Sequence, residues 1–400
     1  MNKAHVAVAC GGTGGHIFPG LAIADKLIRN GCDVTLLISQ KEIDRRACAS
    51  ISNLPILELP AYPLNLEGFF RFFSGSFRSI STCFKYFKNK PLHAVFSTGG
   101  FTSLAPIVYG KLKGSKIYIH ESNSIPGKAN KILSHLASQV YIGFKSAQKF
   151  LPESKVKLTG TPVRPAFFNL DQQKCRLQLG IDPNRETLLI AGGSQGARPI
   201  NELVLSALSI FKERLQNWQF LHVTGANDFE LVKNAYEQSG LPSKIYDFTD
   251  EMPILLGAAT VAVSRAGASF LSELAAAKVP PVLIPYPFAA DNHQFYNALT
   301  FVKLGAARML EQNKATPELL TGMILQLSED SQFRMRSLEA LSELCFPDAA
   351  DTIANHIITG IKTKFNDKVS FQPSGSIWTK QTTNNNNNLL TEHSKTVLVK

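Results

Sequence analysis

The sequence predicts an α/β protein of two domains, each built on a parallel sheet with helices on both faces. Three observations carry this reading. At 400 residues the chain is too long for one ordinary domain. Apolar, strand-like runs alternate with helix-like stretches from the N-terminus to about residue 360, the order that lays strands parallel. A strand, glycine loop and helix open the chain, and the same unit restarts near residue 190.

The opening unit reads as a buried strand over 6–10, a loop of Gly11, Gly12, Thr13, Gly14, Gly15 and His16, and an amphipathic helix over 21–28. Glycines let the backbone take positive φ and approach a ligand closely. N–H groups at a helix N-terminus, with the helix dipole, favour an anion such as phosphate. His16 stands where loop meets helix and can exchange a proton near that anion. An ordinary strand-to-helix turn with an ordinary histidine is the plain alternative. The loop is not G-x-G-x-x-G, and Asp33 precedes its strand instead of ending it, which argues against a dinucleotide site. No G-K-[ST] follows, so phosphate would be held by backbone amides without a fixed lysine.

Composition narrows the class. Hydrophobic residues make up 44% and charged residues 18%, enough apolar material for sizeable cores. The formal net charge of +11 points to anionic partners: a nucleotide, nucleic acid or an acidic membrane face. The six cysteines are scattered without a CxxC pair, which fits neither a zinc site nor a disulfide framework and suggests a reducing compartment. Lys3 and the apolar run ending at Cys10 faintly resemble a lipoprotein signal, but the run leads straight into the glycine loop and reads as a strand. No apolar run is long enough to span a bilayer.

Further strands are expected over 34–38, 54–59, 94–97, 116–120 and 139–142. Ligands of such sheets sit beyond the carboxyl ends of the strands. Two of those ends carry polar or glycine-rich turns, 98–103 and 121–127, on the same edge as the first loop. Between strands, Phe69, Phe70, Phe72 and Phe73 open a stretch that continues through Phe77, Arg78, Phe84, Lys85, Tyr86, Phe87, Lys88 and Lys90. Aromatics interleaved with bases suit an anionic lipid interface. The alternative is that the phenylalanines form a buried helix face. No nucleic-acid recognition motif accompanies the charge.

A boundary is expected near 159–165, where Arg164 is either an anion ligand or a solvated linker residue. The second domain starts with a strand over 187–191 and the loop 192–197, where Ser194 could meet a second phosphate. Strands over 220–223, 244–246, 261–263 and 282–284 follow. Glu273, on the helix after 264–268, could accept both hydroxyls of a ribose; a surface glutamate favoured by the helix dipole is the other reading. The stretch 291–297 opens another helix, with amides suited to sugar hydroxyls or with Asp291 acting as a plain cap. A last helix runs over about 347–361, and 363–400, with five consecutive asparagines from Asn384, reads as a disordered tail.

Taken together, the motifs at 11–16, 99–103, 120–127, 161–164, 192–197, 264–273 and 291–297 resemble the MurG family of peptidoglycan N-acetylglucosaminyltransferases. The resemblance covers residues 4–360 in order and spacing. It implies a GT-B fold: two Rossmann-like domains facing across a cleft, here 1–160 on the acceptor and membrane side, completed by the helix at 347–362, and 161–346 for the donor. It implies inverting transfer of GlcNAc from UDP-GlcNAc to undecaprenyl-pyrophosphoryl-MurNAc-pentapeptide (lipid I), giving lipid II at the cytoplasmic face of the cell membrane, by a peripheral protein. Thr13, Gly14, Gly15, Asn123, Arg164, Ser194, Glu273 and Gln294 match the family's donor contacts. Thr249 falls where the uracil is met, and Ala268, Ser269, Phe270, Leu271 and Ser272 share the Glu273 segment. His16 falls near the reacting centre, as base or as acceptor-orienting group.

Phe101 and Ser122 depart from the family's usual Tyr and Gln, which touches the acceptor side. No D-x-D sequence is present, so neither a protein-held metal nor a cofactor is expected. Two other readings fit the same motifs: a UDP-GlcNAc epimerase of like fold, and a non-catalytic sugar-nucleotide subunit at a membrane. The aromatic-basic stretch argues against the first and His16 against the second.

Overall fold

The computed structural model describes residues 2–12, 14–49, 51, 54–62, 69–193, 195–378 and 396–399. Contacts divide the chain into two units, 1–164 with 346–383, and 165–345 with 384–400.

The first unit begins β1 (Asn2–Lys3), β2 (His5–Ala9), α1 (Gly14–Arg29), β3 (Asp33–Ser39), α2 (Glu42–Cys48), β4 (Ile56–Leu59) and α3 (Phe69–Tyr86). It continues β5 (Ala94–Ser97), α4 (Leu104–Leu112), β6 (Lys116–Glu121), α5 (Lys128–Leu133), β7 (Gln139–Ile142) and β8 (Val156–Leu158). Seven strands form a parallel sheet in the order β4-β3-β2-β5-β6-β7-β8. The interior strand β2 is buried along its whole length, as a parallel sheet covered on both faces requires. On one face α1 buries Ile17, Leu21, Ala24 and Leu27, a stripe at helical spacing.

The second unit runs α6 (Gln172–Gln178), β9 (Glu186–Ala191), α7 (Arg198–Arg214), β10 (Trp218–Val223), α8 (Phe229–Ser239), β11 (Ser243–Tyr246) and α9 (Met252–Ala258). It then adds β12 (Val261–Ser264), α10 (Ala268–Ala277), β13 (Pro281–Leu283), α11 (His293–Lys303), β14 (Arg308–Met309), α12 (Pro317–Glu329) and α13 (Ser331–Glu343). Its parallel strands stand in the order β14-β13-β12-β9-β10-β11.

The chain then returns to the first unit as α14 (Ala349–Phe365). Ile353, Ile357 and Ile361, four residues apart, are fully buried in the same core as α1. Burial of each is worth about 1.5–3 kcal/mol. Next, β15 (Val369–Ser370) pairs in parallel with β1. The strand β16 (Thr396–Val399) lies antiparallel on β11 at the edge of the second sheet. Residues 363–378, read from sequence as the start of a disordered tail, are therefore part of the first unit. Isolated apolar residues in a polar stretch look unable to form a core, yet Val369 and Ile377 find burial in one built elsewhere. Residues 379–395 lie outside the described set.

Among the described residues, no helix is long and apolar enough to cross a membrane.

Candidate functional site

In both units the candidate residues gather at the carboxyl ends of parallel strands, where chain reversal into a helix exposes backbone N–H groups.

In the first unit the loop after β2 leads directly into α1. Gly12 has φ +115°, and its N–H donates to buried Asp44 at 2.7 Å. Asp44 also accepts from the Ser39 N–H at 3.0 Å and the Ser39 hydroxyl at 2.5 Å, fastening the loop to the end of β3. A Cβ on Gly12 would come within 2.9 Å of the Phe101 ring, so only glycine lets the two loops close on each other. The Thr102 hydroxyl donates to the Gly11 carbonyl at 2.9 Å, joining the same loops by hydrogen bond.

His16 is half-buried, and its Nδ1 lies 2.9 Å from the carbonyl oxygen of Thr98. A carbonyl only accepts, so Nδ1 carries the proton and Nε2 is the basic nitrogen. Gly100 sits beside that ring: a Cβ there would be 3.5 Å from Nε2.

The loop after β6 is organised by a residue that sequence reasoning missed. Glu121 is buried and accepts from the Asn123 N–H at 2.8 Å and the Asn123 amide at 3.0 Å. It also accepts from the Gly127 N–H at 3.0 Å and the Asn130 amide at 2.9 Å. Asn123 is thereby aimed by a carboxylate it does not share with solvent. A charged residue ending an apolar strand was the available signal. Beside it, fully buried His120 donates from Nε2 to the Gly160 carbonyl at 3.0 Å, leaving Nδ1 to accept from Ser122 Oγ at 3.2 Å. Burial pushes its pKa down to about 4, against the bond to Gly160 and with a further lowering by His16. Ser122 is thus the partner that completes a neutral imidazole.

Arg164 ends the first unit, with its guanidinium carbon 4.8 Å from the Phe18 ring and 5.8 Å from the Trp378 ring.

In the second unit, Gly193 and Gly196 have φ +115° and +75° in the loop between β9 and α7. A Cβ on Gly196 would run into the Thr224 carbonyl, and one on Gly225 into Gln195, so two glycines press the loop against the end of β10. Asn201 on α7 fixes that contact: its amide donates to the Thr224 carbonyl at 3.0 Å and to Asp228 at 2.8 Å, and its oxygen accepts from His222 Nε2 at 3.0 Å.

The Glu273 segment forms the first turns of α10. Leu271 is fully buried and Ala268 nearly so, which limits both to their backbone groups. Ser269, Phe270 and Ser272 are half-buried, and Ser272 Oγ donates back to the Ala268 carbonyl at 3.1 Å. Glu273 is only 8% exposed, so the surface-glutamate alternative is overturned. Thr249, half-buried after β11, accepts the Glu251 N–H at 3.0 Å. Gln294 accepts from the Tyr286 N–H at 3.0 Å and so orders the turn after β13. The alternative of plain capping by Asp291 is also corrected: the cap residue of α11 is Asn292, without a side-chain bond, and both residues are left-handed at φ +51° and +52°. Thr13 and Ser194 lie outside the described residues.

Away from these loops, α3 turns Gly75, Ser79 and Cys83 inward at a spacing of four. That small-residue stripe displaces the aromatics. Phe73 is 54% and Phe77 74% exposed, with Arg78, Lys85, Lys88 and Lys90 also outward. The buried-face alternative fails for these two rings. Phe72 is half-buried against Phe73, while the side chains of Phe69 and Phe70 lie outside the described set.

The chain resembles known proteins over most of its length. Residues 6–142 match the glycosyltransferase family 28 N-terminal domain and 187–353 the family 28 C-terminal domain. A transferase of Synechocystis sp. is 35% identical over 356 residues, 87% of this chain and 95% of its own length. One from Bacillus cereus is 33% identical over 359 residues, covering 87% and 97%. Both bear the name UDP-N-acetylglucosamine–N-acetylmuramyl-(pentapeptide) pyrophosphoryl-undecaprenol N-acetylglucosamine transferase. The crystal structure of Acinetobacter baumannii MurG aligns with a TM-score of 0.69 at 26% identity, over 89% of this chain and 99% of that one. The calicheamicin glycosyltransferase CalG4, 14% identical with a TM-score of 0.67 over 91% and 99%, shares the fold.

Two α/β units with glycine-lined strand ends and the paired family 28 domains define a glycosyltransferase of the GT-B type. More narrowly, the chain belongs to the MurG family, the N-acetylglucosaminyltransferases named above.

Proposed function

We propose that the chain transfers GlcNAc from UDP-GlcNAc to lipid I, forming lipid II with inversion at the anomeric carbon. The observation that carries the chemical assignment is the His16 tautomer: with Nδ1–H committed to Thr98, Nε2 can take the proton of the acceptor hydroxyl. The hydroxyl oxygen then attacks the anomeric carbon, and the bond to UDP breaks. Charge on the departing diphosphate is met by fixed dipoles: backbone N–H groups at the starts of α1, α7 and α10, with Thr13, Gly14, Gly15 and Ser194 in those loops. Asn123, Arg164 and Gln294 contact the donor, Thr249 meets the uracil, and Glu273 accepts the ribose hydroxyls, with Ala268, Ser269, Phe270, Leu271 and Ser272 lining that subsite.

In this reading residues 1–160 with the helix at 347–362 serve the acceptor, and 161–346 the donor. The outward face of α3 holds the protein against anionic lipid at the cytoplasmic side of the membrane. Phe73 and Phe77 enter the interface and Arg78, Lys85 and Lys88 pair with headgroups.

Labelled UDP-GlcNAc incubated with and without lipid I tests the reaction. Labelled lipid II is the expected product. UDP-ManNAc would point to an epimerase, and binding without turnover to a non-catalytic subunit.

A further inference from the structure

We propose that residues 369–378 form a strap whose Trp378 is a positioning residue for Arg164. The proposal rests on the reading that Arg164 meets the anionic donor.

The segment leaves α14 and runs back along α1. After β15 pairs with β1, the Gln372 N–H donates to the Gly31 carbonyl at 3.0 Å and the Ser374 N–H to the Ile28 carbonyl at 3.2 Å. Gly31 has φ +91°, and a Cβ there would strike the Gln372 backbone, so the strap requires a glycine at the end of α1. Further on, the Ser376 hydroxyl and the Ile377 N–H both donate to Asp25 Oδ1, at 2.6 and 2.9 Å. Asp25 is 1% exposed and holds Arg29 through its other oxygen at 2.9 Å. Ile377 is 3% exposed, and Trp378 bridges antiparallel to Ile51.

Hydrogen bonds, a buried side chain and a strand bridge thus fix where the indole stands. It stands against the Arg164 guanidinium, whose second ring is Phe18, two residues beyond His16 on α1. A long, flexible side chain between two ring faces loses rotamers during folding and not during donor binding. The strap lies beyond both family 28 matches, which end at residues 142 and 353.

Steady-state kinetics of the full chain with UDP-GlcNAc and lipid I test this, comparing Trp378→Ala, Trp378→Phe, Arg164→Ala and the double variant Arg164→Ala/Trp378→Ala. Trp378→Ala should raise the KM for UDP-GlcNAc about five- to tenfold with kcat within about twofold, since a lost positioning contact is worth about a factor of ten or less. Trp378→Phe should recover most of the loss, and the double variant should be no worse than Arg164→Ala. An unchanged KM in Trp378→Ala, or independent effects in the double variant, would overturn the proposal while leaving Arg164 as a donor contact. An unchanged KM in Arg164→Ala would overturn the donor reading itself, and the proposal with it. A second measurement does not depend on the alanine variant folding. The chain has two tryptophans, so in a Trp218→Phe background UDP titration should change the emission of Trp378, and Arg164→Ala should abolish that change. Silent emission would count against the strap.

Discussion

His16 donates from Nδ1 to the Thr98 carbonyl at 2.9 Å, and the Thr98 hydroxyl donates back to the His16 carbonyl at 2.9 Å. This reciprocal pair fixes both the tautomer and the orientation of the imidazole. His16→Ala should therefore lower kcat by about 10²–10⁴-fold, the range for loss of a general base, while UDP-GlcNAc affinity barely moves. Thr98→Val keeps the carbonyl acceptor and loses the returning bond together with the longer hydroxyl contact to the Ala9 carbonyl at 3.5 Å, so its kcat should fall less than about tenfold, near the worth of one hydrogen bond. Near-normal turnover in His16→Ala would exclude the histidine as base.

The second glycine loop is a matter of space. Gly196 combines φ +75° with backbone contact to Thr224. Gly196→Ala should destabilise the protein by about 3 kcal/mol, through backbone strain and displacement of the loop. Denaturant unfolding checks this, and donor affinity should fall in parallel.

The exposed rings of α3 give a membrane test. Phe73→Ser with Phe77→Ser should abolish flotation with anionic vesicles and leave unfolding unchanged, because neither ring contributes to the core. Flotation equal to the parent would remove the lipid-facing role.

Buried histidines set the acid limit of stability. Burial lowers the pKa of His120 and of His5 to about 4 and that of His222 to about 3, from the ordinary histidine value of 6.5. The unfolded chain then binds more protons than the folded one between pH 6.5 and about 4, so stability is full above that window and lost as pH falls through it. Thermal unfolding followed across this range should show Tm falling steadily on acidification. His120→Gln should flatten part of the slope, and an unaltered slope would remove His120 from the set.

Which parts of this were readable in the residues follows from where each signal comes from. Strands covered on both faces are continuous apolar runs, and β5 and β7 coincide with their expected limits, 94–97 and 139–142. The loops follow from the strand ends, because a parallel sheet delivers them to one edge. Two edge strands carry no such run: Lys157 and Leu158 of β8 are exposed, and β14 has two half-buried residues. They are strands because of a neighbour, which no local pattern records. The same holds for Glu121, whose role is defined by donors up to nine residues away. The strap left one trace, Asp25, a carboxylate four residues after Leu21 on the buried stripe of α1. A charge in that place demands partners, and they arrive more than 350 positions later, at Ile377.

The return of α14 to α1 has a consequence for biosynthesis. The polypeptide emerges from the ribosome N-terminus first, and domains ordinarily mature in that sequence. Here residues 165–345 carry all six parallel strands of the second sheet and lack only the edge strand β16, whereas the leading unit still lacks the core residues Ile353, Ile357 and Ile361. The part translated first therefore gains its last core helix only after the parallel sheet of the second unit has been made. Until then the nascent chain presents an apolar stripe on α1, a surface for chaperones to shield and for proteases to recognise in prematurely terminated products.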